Sequence, residues 1–116
     1  MTTPRWGRYA AFVDRLVHSL MDTPGATEAS LRQTVEGQAA NLGGRTGSAP
    51  TVPQGFDRYA DTVGRWAWKV TDADVAALKA AGKSEDAIFE VTVTAATGAA
   101  LGRLERGLAA LRGAAR

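Results

Sequence analysis

Residues 84–112 constrain this chain more than any other stretch. Ser84 followed by Glu85 and Asp86 reads as an N-cap with acids in the first turn. Arg103, Arg106 and Arg112 gather toward the other end, so the charges follow the dipole of one long helix. Between these ends, residues 91–101 contain no charged side chain. A helix that is apolar or small all the way round has no face to offer water and has to be covered by other elements. Beyond that run the pattern narrows to a stripe of Leu101, Leu104, Leu108 and Leu111 with Arg and Glu between. Val91-Thr92-Val93-Thr94 taken alone is strand-like, because β-branched residues are stiff and strand-favouring. The cap before it and the small residues and leucines after it, with no turn signal, make it helix. Thr94, Gly98 and Gly102 recur every fourth position, spacing that invites close approach by another helix of the same subunit or of a symmetry mate.

What precedes that helix also reads as helical. Thr3 and Pro4 look like an N-cap and a first-turn proline. Trp6, Tyr9, Phe12, Val13, Leu16, Val17, Leu20 and Met21 then follow at helical spacing, predicting an amphipathic helix whose inner face they form. Asp22, Thr23, Pro24 and Gly25 end it. Thr27 is placed to cap a second helix to about Leu42, with Leu31, Val35, Ala39 and Leu42 on one side; Gly37 in its middle weakens it by roughly 1 kcal/mol relative to Ala. Residues 43–53 are a flexible Gly/Pro-rich loop by composition. Residues 53–70 predict a third helix with Phe56, Tyr59, Val63, Trp66, Ala67 and Val70 inward. Thr71 and Asp74 resemble a capping box for a short helix over 72–81, with Val75 and Leu78 inward and a stop at Gly82. The expected architecture is an all-α single domain over residues 1–116, a helical bundle with a long buried C-terminal helix.

Composition removes whole classes of chemistry. The chain has no cysteine, which excludes disulfides, thiolate catalysis, cysteine-bound zinc and iron–sulfur clusters. A single histidine, His18, excludes a His-rich metal site within one subunit, so neither metal nor cofactor is expected. The 14 basic residues are interleaved with 12 acidic ones, leaving no basic block with aromatics between, so no nucleic-acid partner is expected. The start lacks the basic-then-apolar design of a signal peptide, and the uncharged run at 91–101 is too short for the ~20 apolar residues of a membrane span. A soluble cytoplasmic protein with no membrane partner is the expectation.

One stretch carries a family resemblance. Val75-Ala76-Ala77-Leu78-Lys79-Ala80-Ala81-Gly82-Lys83-Ser84-Glu85-Asp86-Ala87-Ile88-Phe89-Glu90-Val91 resembles the AhpD-like (carboxymuconolactone decarboxylase-like) family. There a helix ends at Gly, a Ser or similar residue caps the next, and a long Ala-rich helix follows an acid–acid–x–Ile entry. The likeness covers about a third of the chain, residues 67–101. It implies an all-helical protomer that assembles into a homo-oligomer, with a pocket near the family's redox position. Redox members carry Cys-x-x-Cys and then His just before this Gly. Those positions fall on about Ala67, Val70 and Asp74, none of which supplies a thiolate or an imidazole. The resemblance therefore implies the fold without thiol peroxidase activity, and without the imidazole on which the decarboxylase side of the family relies.

The catalytic residues are unknown from sequence, and each candidate has a structural reading beside the chemical one. Asp74 stands at the histidine position as a ligand group, or simply completes the Thr71 cap. Glu90 is either a buried acid with a raised pKa or a partner for Arg or solvent. His18 is a general base or a surface histidine. Trp66, Trp68 and Lys69 are pocket-lining candidates for a small-molecule ligand, or core and interface residues; two tryptophans two apart cannot share a helix face. Three functions follow: a cysteine-free AhpD-like binder of a small molecule in an apolar pocket or a diverged oligomeric scaffold; a proton-transfer enzyme (decarboxylase- or isomerase-like) using a carboxylate; and an interaction module whose leucine stripe docks a partner helix.

Overall fold

The computed structural model describes residues 6–114, and they form five α-helices with no strand among them. These are α1 (Ala10–Met21), α2 (Ala29–Gly43), α3 (Asp57–Trp66), α4 (Asp72–Ala80) and α5 (Glu85–Ala114). At 1.5 Å per residue, the 30 residues of α5 span about 45 Å, most of the molecule's 52 Å long axis. The fold is built along that rod.

The entry to α5 forms as its sequence dictates. The Ser84 hydroxyl accepts the Ala87 amide at 3.1 Å, and the helix runs through residues 91–94 without a break. Val91, Ala95 and Ala99 are fully covered, joining Val35, Ala39, Phe56, Ala60 and Val63 in the main core. The small residues serve contact with α2 of the same chain. A Cβ on Gly98 would stand 2.5 Å from the Glu36 carbonyl oxygen, and one on Gly102 still closer to that of Ala40. The C-terminal leucine stripe divides: Leu101 is buried against Trp6, Ala10 and Val13, while Leu104 and Leu111 are exposed.

Four sequence expectations need correction. Thr3 and Pro4 lie outside the described residues, and the first α-helix starts at Ala10 after a 3-10 turn, Gly7–Tyr9, in which Gly7 adopts a φ of 55°. Only part of the expected inner face of α1 is covered: Trp6 and Val13 are buried, whereas Phe12 and Leu16 are 65% and 49% exposed. Helical spacing marks a face as apolar but does not say what covers it. Thr27 does not cap α2, whose N-cap is Glu28 with no side-chain bond; Thr27 turns instead to Glu90. The third helix is shorter than expected, because Val52 to Gly55 lead in without helix and Trp66 leaves helical geometry at φ −143°, ψ 69°. Trp66 and Ala67 are consequently exposed rather than inward.

The capping box of α4 is present: Asp74 N–H donates to Thr71 Oγ1, and Asp74 Oδ2 accepts the Thr71 amide at 2.9 Å. Gly82, at φ 92°, ends that turn. Residues 43–53 cross back over α2, where Pro50 occupies the space a Cβ on Gly37 would need. The connection is pinned by Arg45 at one end and by buried Val52 at the other, with residues 46–51 exposed between.

Candidate functional site

Two buried charge centres and one apolar face are the features on which function can be built. The first centre joins the turn after α1 to α5. Arg32, on α2, is only 3% exposed. Its Nη2 donates to the Met21 carbonyl at 3.1 Å and to the Thr23 carbonyl. Its Nη1 donates to the Thr27 carbonyl at 2.9 Å and reaches Glu90 Oε1 at 3.3 Å. Glu90 also accepts the Ala26 amide at 2.7 Å, the Thr27 amide at 2.9 Å and the Thr27 hydroxyl at 2.6 Å. Partial burial pushes the Glu90 carboxyl up. The bonds from the Thr27 hydroxyl, the two amides and Arg32 outweigh that and hold it at about 2, lowered rather than raised. Glu90 is thus an ionised clasp for residues 26–27, which have no helical partners of their own.

An open cleft of about 200 Å³ lies beside this centre, between the end of α1 and α5, lined by Leu20, Pro24, Phe89 and Val93 together with Arg32 and Glu90. Arg32 Nε is buried and has no hydrogen-bond partner among the described residues.

The second centre ties α2, α5 and the loop after α2. Arg45 forks onto Glu36 at 3.0 Å through both Nη atoms, and onto Glu105 through Nε at 2.8 and 3.0 Å. Burial alone would push the Arg45 pKa down; the bonds to Glu105 and Glu36 outweigh it and keep the guanidinium charged. Neither centre was visible in the sequence, because an arginine inside a polar helix segment (Arg32) and one in a Gly-rich loop (Arg45) both look like solvent-facing residues. The only hint was the lone Glu90 at the edge of an uncharged run.

The sequence candidates are not brought together. Asp74 lies on the surface inside its capping box. His18 is exposed and paired with Asp22 at 2.9 Å. Trp68 is 76% exposed, and Trp66 is exposed with Lys69 Nζ 4.6 Å over its ring. Both tryptophans lie outside the cleft beside Arg32. Among the described residues no group of three or more His, Cys, Asp or Glu is placed to hold a metal, and no helix is long and apolar enough to cross a membrane.

The apolar face is the third feature. Phe89, Val93, Ala100 and Leu104 follow one side of α5 at helical spacing, and Phe89 is 68% exposed. Phe12 and Leu16 lie on the flank of α1 that also carries Leu20, and Leu20, Phe89 and Val93 line one cleft. No family model, curated protein or solved structure matches the chain.

Proposed function

We propose that this chain is a cysteine-free, AhpD-like helical scaffold that works by docking another protein surface on its α1/α5 face and has no thiol peroxidase activity. The observation that carries the proposal is the exposure of Phe12, Leu16 and Phe89 on neighbouring helices. Phe12, Leu16 and Leu20 follow one another turn by turn on α1, and Leu20 lines the same cleft as Phe89; exposed apolar side chains grouped in this way mark an interaction surface, since scattered single ones would need no explanation. The sequence of α4, Gly82, the Ser84 cap and α5 supports the kinship. The absence of cysteine removes the nucleophile on which peroxide reduction depends. A carboxylate held at about 2, as Glu90 is, makes a poor base near neutral pH, which counts against the proton-transfer alternative.

Labelling dilute protein with a small photoreactive apolar probe tests the docking face. The heaviest labelling is expected on Phe12, Leu16 and Phe89, and labelling that spares them overturns the proposal. Hydroperoxide reduction is expected to run at the buffer rate.

A second reading is favoured by Arg32 Nε. Its buried, unpaired N–H beside an apolar cleft suits a small ligand carrying one acceptor group on an apolar body. Titrating small carboxylates and amides while following the Phe89 ring resonances tests it; resonances that stay fixed at millimolar ligand exclude it.

A further inference from the structure

We propose that the cleft between the end of α1 and α5 takes a neutral acceptor compound, a ketone, ester or amide on one ring-sized apolar body, and rejects the matching carboxylate. The inference rests on the second reading above and adds the chemical class of the ligand.

The donors of Arg32, which is 3% exposed and lines the cleft, set the acceptor. Its Nη1 is committed to the Thr27 carbonyl and Glu90, and its Nη2 to the Met21 and Thr23 carbonyls. The buried Nε–H is left without an acceptor among the described residues. A buried donor with no partner is costly, and an acceptor that reaches it recovers that cost. One N–H suits one carbonyl oxygen. A carboxylate earns its advantage on arginine from two parallel N–H groups, and the Nη atoms are already spent.

Charge points the same way. Glu90 lines the same cleft, is ionised at neutral pH and stands 3.3 Å from the Arg32 guanidinium. Arg32 is the only Lys or Arg among the described lining residues. A carboxylate ligand would therefore lie beside Glu90 with no uncompensated positive charge to receive it, whereas a neutral carbonyl is indifferent to that balance.

The walls fix the rest of the molecule. Leu20, Pro24, Phe89 and Val93 are apolar, and the cleft measures about 200 Å³. A cavity of about 150 Å³ holds a benzene ring, so the body is one ring or its aliphatic equivalent. Leu20 and Phe89 belong to neither core cluster, and Phe89 is 68% exposed. Both can turn aside and let an acceptor reach a donor that is itself covered. Ala67, Val70 and Asp74, where the family resemblance places its pocket, are not among the lining residues.

Three probes with the same ring test the class: cyclohexanone, cyclohexanecarboxamide and cyclohexanecarboxylate. Each is titrated at neutral pH while the Phe89 ring and Arg32 Nε–H resonances are followed. The ketone and the carboxamide should shift both resonances and bind roughly tenfold or more tighter than the carboxylate. Glu90→Gln removes the negative charge and keeps an acceptor for Thr27. It should tighten the carboxylate by roughly tenfold or more while moving the ketone little. A carboxylate that binds the parent as tightly as the carboxamide overturns the neutral class and leaves the second reading standing. Phe89 shifts with an unmoved Arg32 Nε–H overturn the acceptor contact, and a folded Gln variant with the parent's order of affinities overturns the charge discrimination. No shift from any probe at millimolar concentration overturns the inference and the second reading together. Circular dichroism shows whether the variant is folded, and if it is not, the order measured on the parent decides alone.

Discussion

Glu90 and Arg32 join a turn with no regular structure to the central helix, and the consequence can be measured against pH. The Glu90 carboxyl lies at about 2 in the folded chain against 4.5 for the free group. A lowered folded-state pKa contributes stability that is fully present above the unfolded value and is lost as pH falls through the folded one. Acid unfolding should therefore draw roughly 2–3 kcal/mol from this group between pH 5 and pH 2. Glu90→Gln should remove that part of the slope, measured by urea unfolding across the range; an unchanged slope would show that the clasp does not form. Arg32→Met should cost about 3 kcal/mol, since it leaves three carbonyl groups without their side-chain donor and takes the guanidinium away from Glu90. Little of this was legible in the residues. Glu90 stood out only as a charge beside an uncharged run, and its partners Ala26 and Thr27 are more than 60 positions away. Asp74 was legible because its partner Thr71 is three residues distant, and capping is local chemistry.

Among the elements, α4 and α5 follow directly from sequence because their signals are short-range: a cap, a dipole-matched charge gradient and a glycine stop. The partner of each helix does not follow. Gly98 and Gly102 announced close approach, yet only the three-dimensional contact with Glu36 and Ala40 shows that α2 uses it within the chain. Adding a methyl at either glycine forces α2 away from α5, and Gly98→Ala or Gly102→Ala should cost about 3 kcal/mol or more despite the better helix propensity of alanine. Thermal unfolding checks this, and a neutral or stabilising result would contradict the packing. Asp74→Ala, which removes one arm of an exposed cap, should cost about 1 kcal/mol. Helices α1 and α3 show the limit of periodicity. In α1 the same spacing served both a covered and an uncovered side, and in α3 an apolar pattern continued past the residue at which the backbone leaves the helix.

For the whole molecule, the two charge centres and the tight α2–α5 contact tie the helices together from inside, whereas Phe12, Leu16 and Phe89 stay largely in water. That division is the central claim, and denaturant unfolding of two variants at concentrations too low for association tests it most directly. Val91 is completely buried in the core, whereas Phe12 and Phe89 are two-thirds exposed. Val91→Asp should unfold the chain or cost more than about 4 kcal/mol. The combined Phe12→Asp and Phe89→Asp variant should stay within about 1 kcal/mol of the parent. A loss of several kcal/mol from the double variant would mean that these side chains stabilise the protomer itself, and the face would then have no docking role.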